Sequence, residues 1–347
     1  MNILVVDDSV VFRTAISQAL SEVPGFLVSK TCSNGKIAID FLQRESGIDL
    51  VILDLEMPVM DGIETIKEIR KFNKKIPIIV FSSFTTQGAE KTITALQTGA
   101  NDFVGKVSGN GTIEGSLKMI RAELVPRIEA LCSKGKASNV SQTKEVVCEI
   151  SKAVDKMQIK PKLICIGSST GGPEALMSIF KTLEVPSSVP MLLVQHMPPM
   201  FTQKLAEMLD KNSCMSFSEA KNGDVLKPGH CYIAPGDYHM TITKDLKIIL
   251  NQDDKVCFVR PSVDVLLNSV ADNFSGQVLS IILTGMGEDG ANGSRALKEK
   301  NAYQFTQDKE SCVVWGMPGA VMKADVGASV IKLADIPKLL TMVSKRI

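Results

Sequence analysis

The sequence lacks the features that mark secreted, membrane-spanning and strongly charged proteins. Its 8 cysteines are dispersed, the nearest two being Cys132 and Cys148, so no CxxC pair or dense disulfide framework exists. No run approaches the roughly 18 apolar residues that span a bilayer, and MNILVVDD lacks the basic start and apolar core of a signal peptide. A net charge of +1 argues against a broad nucleic-acid-binding surface. We therefore expect a cytoplasmic protein without membrane insertion and without nucleic acid as a partner.

The length and composition indicate a soluble globular protein with more than one domain. The chain has 347 residues, of which 44% are hydrophobic and 22% charged. Single hydrophobic cores stop growing at roughly 250 to 300 residues, so two domains are expected. A polar segment rich in Lys and Ser begins at Lys134. We place the first domain at residues 1–125, an exposed linker at 126–158 and the second domain at 159–347.

Both domains show alternating strand and helix patterns. The first contains the apolar strands ILVVD, FLVSKTC, IDLVILDL, PIIVFSS and DFVGK, and the second contains LICIGS, PMLLVQH and VLSIILTG. Apolar strands separated by helices predict parallel sheets that are covered on both faces. We therefore predict two doubly wound α/β domains, the first flavodoxin-like and the second Rossmann-like. The stretch KPGHCYIAPGDYHMTI in the second is interpreted as a β-hairpin.

Polar residues close several predicted strands of the first domain. They are two adjacent acids, a third acid, a serine pair and a lysine: Asp7, Asp8, Asp54, Ser82 with Ser83, and Lys106. Ligands of open parallel sheets bind at the carboxyl ends of the strands, so these side chains should converge. An acid after a strand is often only a helix cap, but polar residues that close one strand after another in order make that explanation weak. Three carboxylates together favour a hard cation such as Mg²⁺.

The corner LICIGSSTGGPEAL in the second domain has three interpretations: a glycine-rich phosphate seat, a plain turn, or the mount of a nucleophilic serine. The phosphate interpretation requires G-x-G-x-x-G and an acid at the end of the next strand, whereas that strand ends in Gln195 and His196. The stretch from Gly167 to Gly171 does match G-x-S-x-G between a strand and a helix. Gly and Ser are common turn residues, so this match alone leaves the plain turn open.

A nucleophilic serine requires a base, and the base requires an orienting acid. Of 3 histidines, only His196 closes a buried-strand pattern, while His230 and His239 fall in the predicted hairpin. The strand VLSIILTG leads into MGEDGANG, which offers Glu288 and Asp289 as acids. Such a glycine-rich loop brings backbone amides close to a ligand, so residues 285–287 could donate hydrogen bonds to an oxyanion. The alternative interpretation of residues 285–287 is a surface turn without a role in catalysis.

Residues 1 to about 125 resemble response-regulator receiver domains. By this resemblance Asp54 is the phosphoacceptor, and Mg²⁺ is held by Asp7, Asp8, Asp54 and the backbone carbonyl of Glu56. The same resemblance assigns switch roles to Ser82, Phe103 and Lys106. MPVMDG matches the stretch after the phosphorylated aspartate. The family usually has a cis proline after the lysine, whereas Val107 stands here, and a cis bond without proline costs about 2.5 to 4 kcal/mol.

The second domain resembles the chemotaxis protein-glutamate methylesterases, the CheB family. The serine before TGG, the histidine of QHMPP and the aspartate of TGMGEDG then become nucleophile, base and acid: Ser169, His196 and Asp289. Gly285, Met286 and Gly287 lie in the loop that the family uses to stabilise the oxyanion. RPSVDVL and SCVVWGMP are also family-like and are expected to shape the substrate cleft.

The two resemblances together imply a serine esterase controlled by phosphorylation. Its substrates would be methylated glutamates and glutamines of chemotaxis receptors, and its phosphodonor a histidine kinase. The esterase step would need no cofactor, and a monomer is expected. One alternative is a phosphorylation-dependent regulator whose second domain binds a partner or nucleic acid without catalysis, but the sequence shows no helix-turn-helix pattern or basic stripe. A metallohydrolase is the other, and no HExxH-like spacing supports it.

Overall fold

The structure is a computed structural model that describes residues 1–106, 113–132, 150–155, 157 and 159–345. The chain divides into two compact units, Met1–Val140 and Ser141–Ile347. No described helix is both long enough and apolar enough to cross a membrane.

The first unit is a five-stranded parallel sheet with the strand order β2-β1-β3-β4-β5. This order is the flavodoxin-like arrangement that the sequence predicts. Every residue of β3 and β4 is buried, which explains why these strands are apolar throughout. The strands and helices, in chain order, are β1 (Asn2–Val6), α1 (Val10–Ser21), β2 (Leu27–Cys32), α2 (Gly35–Arg44), β3 (Leu50–Asp54), α3 (Gly62–Phe72), β4 (Ile78–Ser82), α4 (Thr86–Thr98), β5 (Asp102–Gly105) and α5 (Ile113–Cys132).

Two helices occupy parts of the predicted linker at 126–158. Helix α5 continues through Pro126 and buries Ile128 and Leu131, so the first unit's helical structure extends beyond residue 125. Helix α6 (Ile150–Asp155) packs on the last helix of the second unit and buries Ile150 and Val154. Apolar side chains at helical spacing inside a polar segment account for both helices. Residues 133–149 of the predicted linker lie outside the described residues.

The second unit is built on a parallel sheet with the order β14-β13-β12-β6-β7-β9-β8. Strand β6 lies at its centre and pairs with both β7 and β12. The remaining elements are β6 (Leu163–Ser168), α7 (Gly172–Thr182), β7 (Met191–Gln195), α8 (Phe201–Asn212), β8 (Ser216–Glu219), β9 (His230–Ile233), β10 (His239–Ile242), β11 (Ile248–Asn251), α9 (Val263–Asn273), β12 (Val278–Ile282), α10 (Ala291–Glu299), β13 (Tyr303–Gln307), α11 (Met317–Lys323), β14 (Ser329–Ile331), a 3₁₀ helix (Leu333–Asp335) and α12 (Ile336–Lys345).

The hairpin prediction is wrong in its partners. The first half of KPGHCYIAPGDYHMTI forms β9, which joins the large sheet between β7 and β8. The second half forms β10, which pairs antiparallel with β11 further along the chain. Strand β9 can enter the sheet because Cys231, Tyr232 and Ile233 are all buried. The antiparallel hairpin is therefore formed by β10 and β11, and not by β9 and β10.

Candidate active site and acidic pocket

The carboxyl ends of β6, β7 and β12 bring the predicted serine, histidine and acid to one edge of the second sheet. The backbone N–H of His196 donates to Ser168 O at 3.1 Å, and that of Ser169 donates to Thr284 O at 3.1 Å. These bonds join the residue that follows β7 to the end of β6, and the residue that follows β6 to the loop after β12. The turn after Ser169 requires glycine because Gly171 has a φ of +76°, and a Cβ there would lie 2.6 Å from Val313.

The two adjacent serines have different surroundings. Ser168 is fully buried, and its Oγ donates to Gln195 Oε1 at 2.7 Å. Ser169 is partly exposed, and its Oγ makes no hydrogen bond with a residue that the structure describes. Gln195 also donates to Ser169 O at 2.9 Å and so holds the backbone of the exposed serine. Of the two hydroxyls, only that of Ser169 is available to a substrate.

His196 and Asp289 form a hydrogen-bonded pair beside this serine. His196 Nε2 lies 2.8 Å from Asp289 Oδ2, and the two side chains are 10% and 2% exposed. The aspartate therefore fixes the ring through Nε2, which leaves Nδ1 as the other ring nitrogen. No hydrogen bond joins Ser169 Oγ to the ring within the described residues, which is common for catalytic groups without substrate.

Asp289 is held by the N-terminus of helix α9 as well as by His196. Its oxygens accept hydrogen bonds from Ser262 Oγ at 2.8 Å, Val263 N at 2.6 Å and Asp264 N at 2.9 Å. Burial is the largest single influence and raises its pKa. His196, through its hydrogen bond and charge, and the backbone N–H groups of Asp264 and Val263 outweigh burial, so the pKa of Asp289 lies below its ordinary value.

The structure changes the expected role of Gly285 in the oxyanion loop. The Gly285 N–H donates to Val314 O at 3.0 Å, so it is not free to bind an oxyanion. A Cβ at Gly285 would lie 2.9 Å from Ser169 Cβ, so this glycine instead allows the loop to approach the serine. The N–H groups of Met286 and Gly287 make no hydrogen bond with the described residues and remain available as donors.

The residues that position Asp289 were not predicted from the sequence. RPSVDVL was expected to shape the cleft, but Ser262 caps helix α9 and also donates to Asp289. Asp264 Oδ1 in turn accepts from Gly290 N at 2.9 Å and Gly293 N at 2.7 Å, at the start of α10. The N-terminus of α9 thus donates to Asp289, which lies just before α10, and the N-terminus of α10 donates to Asp264, which lies in α9. The serine before an apolar helical pattern was a signal for the cap, but nothing local indicated its second bond.

The structure also brings together the polar strand-end side chains of the first unit. Lys106 Nζ makes ion pairs with Asp54 Oδ2 at 2.7 Å and Asp7 Oδ2 at 3.2 Å. It also lies 4.9 Å from the centre of the Phe12 ring, a contact that the sequence did not indicate. Burial is the largest influence on Asp54 and raises its pKa. The Lys106 hydrogen bond and charge oppose this shift but do not reverse it, and the Asp7 charge adds to it.

The acidic residues fit the predicted Mg²⁺ site. Ligand oxygens of Asp7, Asp8 and Asp54 lie within 4.8 Å of one another. Apart from the Lys106 ion pairs, Asp7 Oδ2 and Asp54 Oδ2 are buried without a hydrogen-bond partner in the described part of the chain. Buried carboxylate oxygens of this kind are what a hard cation binds. Glu56 lines the same pocket, while its side chain pairs with Lys91 at 2.7 Å.

Two of the predicted switch residues, Ser82 and Lys106, line this pocket. Ser82 is buried, and its Oγ donates to Gly88 O at 3.0 Å, so the hydroxyl is occupied by helix α4. Phe103 is 8% exposed on β5. The bond between Lys106 and Val107 involves a residue outside the described ranges.

Comparisons with known proteins agree with both units. A family model of the response regulator receiver domain matches residues 3–118, and one of CheB methylesterase matches residues 164–340. Relatives from Trichodesmium erythraeum and a Nocardioides species are 38% and 40% identical, covering 95% and 100% of this chain and 95% and 96% of their own. Both are named protein-glutamate methylesterase/protein-glutamine glutaminase. The crystal structure of the Thermotoga maritima CheB methylesterase catalytic domain is 40% identical and covers 53% of this chain and 100% of its own, with a TM-score of 0.50.

These matches confirm the prediction of two α/β domains. They also confirm the resemblance of the first domain to receiver domains and of the second to the CheB methylesterases. They support the esterase interpretation and give no support to the alternative of a second domain that binds without catalysis. The chain belongs to the CheB methylesterase family and carries a response-regulator receiver domain ahead of the esterase domain.

Proposed function

We propose that this chain demethylates glutamate methyl esters on chemotaxis receptors under the control of phosphorylation at Asp54. The observation that carries the proposal is the 2.8 Å hydrogen bond from His196 to Asp289, made beside a serine with a free hydroxyl. The names of the curated relatives supply the substrate class. The protein acts in the cytoplasm as a monomer that docks on receptors without entering the membrane.

Ser169 is the nucleophile and His196 the base. Because Asp289 engages Nε2, the ring accepts the serine proton at Nδ1 while Ser169 Oγ attacks the ester carbonyl carbon. The resulting oxyanion faces the free N–H groups of Met286 and Gly287, which stabilise its charge. When the intermediate collapses, the ring returns the proton to the departing methanol.

The acyl-enzyme is released by the same groups acting on water. His196 Nδ1 takes a proton from water, the hydroxide attacks the acyl carbon, and Ser169 leaves with the returned proton. A receptor glutamine enters the same sequence with ammonia in place of methanol, which accounts for the glutaminase part of the relatives' name. No cofactor takes part in this chemistry.

The first unit accepts the phosphoryl group that controls the esterase. Asp54 attacks the phosphorus of a phosphohistidine on a kinase partner, and the bond from phosphorus to nitrogen breaks with its electrons kept by the histidine. Asp7, Asp8, Asp54 and the Glu56 carbonyl would hold Mg²⁺, which supplies charge that offsets the phosphoryl oxygens. Lys106 pairs with the new phosphoryl group, and Ser82 must leave Gly88 O to reach it.

Replacement of the nucleophile tests the proposal. We expect Ser169→Ala to lower methanol release from methylated receptor by about 10⁶-fold, as loss of a nucleophile does in other serine hydrolases. Ser178→Ala is the matched control because Ser178 is an exposed serine on the neighbouring helix α7. Methanol release by Ser169→Ala at the control's rate would exclude this serine as the nucleophile.

A further inference from the structure

A tight turn beside the candidate active site holds a cysteine in an unusual conformation. Val256 and Val259 exchange two backbone hydrogen bonds of 3.2 and 3.0 Å, and both residues between them have positive φ angles, 51° for Cys257 and 65° for Phe258. Glycine and asparagine are the residues favoured at such positions. Phe258 is 96% exposed, whereas Cys257 is partly buried. The turn therefore presents the phenyl ring to solvent and keeps the thiol against the protein.

The thiol lies close to two buried carboxylates. The Cys257 sulfur and one oxygen each of Asp264 and Asp289 all lie within 4.8 Å of one another. Both aspartates are 2% exposed. Sulfur and oxygen ligands in a tetrahedral zinc site lie roughly 3.5 Å apart, given metal–ligand bonds of about 2.0 to 2.3 Å. Metal binding therefore requires the three groups to move closer together, and of the three only Cys257 is not fully buried.

Asp264 has an oxygen that no described residue satisfies. Its Oδ1 accepts from the backbone N–H groups of Gly290 and Gly293. Its Oδ2 is buried without a hydrogen-bond partner among the described residues. A buried carboxylate oxygen in this state is costly unless it is protonated or binds a cation.

The pKa values of Asp264 and Cys257 are raised in part by neighbouring negative charge, whereas the donors around Asp289 lower the pKa of that carboxyl. Burial, the larger influence, and then the Asp289 charge raise the pKa of Asp264. Burial and the charges of Asp289, Asp264 and Glu288 raise the pKa of Cys257 to about 11. A bound cation would relieve this repulsion, and the thiol proton would pass to water as the metal binds.

We propose that Cys257, Asp264 and Asp289 form a binding site for a divalent transition metal, with Zn²⁺ as the best fit. The thiolate selects Zn²⁺ over Mg²⁺, and the two carboxylates and one water complete four ligands. Binding draws Asp289 away from His196, so the metal inhibits the esterase. The metal site stands on this geometry alone, whereas its inhibitory effect also rests on the proposed function.

Cobalt spectroscopy tests the site without reference to activity. We expect Co²⁺ added to the full chain in excess Mg²⁺ to produce the near-ultraviolet charge-transfer absorption of a cobalt–thiolate bond. Cys257→Asn should abolish this band, and asparagine suits the left-handed conformation at this position. Cys257→Ser should do the same, and Cys214→Ser, at an exposed cysteine of the same unit, should retain it. Absence of the band from the unmodified chain, or its persistence in both Cys257 variants, overturns the site.

The inhibition is measured separately by methanol release. We expect saturating Zn²⁺ to slow the unmodified chain by up to about 10⁴-fold, the cost of losing the orienting acid elsewhere. Cys257→Asn should require at least about tenfold more Zn²⁺ for the same inhibition. An intact cobalt band in a chain without esterase activity would refute the proposed function but not the site. Equal Zn²⁺ sensitivity of Cys257→Asn and the unmodified chain would refute inhibition through this site.

Discussion

Asp54 in the first unit and Asp289 in the second are both almost completely buried, at 3% and 2% exposure, yet their pKa values are shifted in opposite directions. Burial raises the pKa of each. The difference comes from their partners. Asp54 shares Lys106 with Asp7 and has one further donor in the Glu56 backbone. Asp289 accepts four hydrogen bonds from His196, Ser262 and the start of helix α9. The number of donors, not the depth of burial, decides the sign of the shift.

This difference matches what each carboxylate is proposed to do. A phosphoacceptor must keep an oxygen available to attack phosphorus, so it cannot be saturated with donors. Within the described part of the chain, Lys106 is the only ion-pair partner of Asp54 Oδ2, which accepts no other hydrogen bond. An orienting acid must instead stay ionised and fixed, and the donors around Asp289 do both. Two aspartates of equal burial thus have different chemistry because of the groups that face them.

The same substitution at both sites should therefore give very different enzymes. We expect Asp289→Asn to lower kcat for methanol release by about 10⁴-fold, because the amide cannot hold the same histidine tautomer. Asp54→Asn should leave the basal rate of the unphosphorylated chain unchanged, since it alters only the acidic pocket. Steady-state kinetics of both variants on one receptor preparation measures the contrast.

Thermal unfolding of both variants provides the control for this comparison. Asp54→Asn removes a charge that repels Asp7, so it should not destabilise the first unit. Asp289→Asn replaces a carboxylate that accepts four hydrogen bonds, so a loss of about 1 to 3 kcal/mol is expected in the second. A kcat loss in Asp289→Asn that is no larger than in Asp54→Asn would contradict the assigned roles.

A smaller effect is expected from phosphorylation. A small phosphodonor such as acetyl phosphate, with Mg²⁺, should raise the esterase rate of the unmodified chain by about 5- to 150-fold, the range of typical allosteric coupling. Asp54→Asn should show no stimulation because it lacks the accepting oxygen. Asp40→Asn is the matched control, since Asp40 is a surface acid of helix α2 in the same unit. Equal stimulation of Asp54→Asn and the control would show that Asp54 does not carry the signal.

The residues that lie at strand ends could be grouped from the sequence. In a parallel sheet the carboxyl ends of the strands share one edge, so Asp7, Asp54 and Lys106 could be grouped from sequence alone. His196 and Asp289 follow the same rule, and the 2.8 Å bond between them joins residues 93 positions apart. Grouping these residues required only the order of the strands along the chain and the polar residue that ends each strand.

Contacts that depend on loop geometry could not be predicted from the sequence. Gly285 was expected to donate to an oxyanion, but its N–H is taken by Val314 from a distant loop. The double role of Ser262, as helix cap and as donor to Asp289, depends on how α9 meets the loop before α10. The hairpin was misplaced because strand β9 pairs with β7 and β8 instead of with its nearest neighbour in sequence. None of these partners is fixed by local propensity.

The smallest effect on kcat is expected when Asp289 loses one of its four hydrogen-bond donors. Ser262→Ala removes one of its four donors, at 2.8 Å, together with the cap of helix α9. We expect kcat to fall by about 10-fold with little change in KM, as for other residues that position a catalytic group. Ser262→Thr, which keeps a hydroxyl, should recover most of the rate. Asn34→Ala removes a comparable cap from helix α2 of the first unit, so a loss of about 1 kcal/mol of stability without loss of kcat is expected there. If Ser262→Ala kept full kcat, the remaining donors would suffice to orient Asp289, and the contrast with Asp54 would rest on the backbone of α9 and on His196 alone.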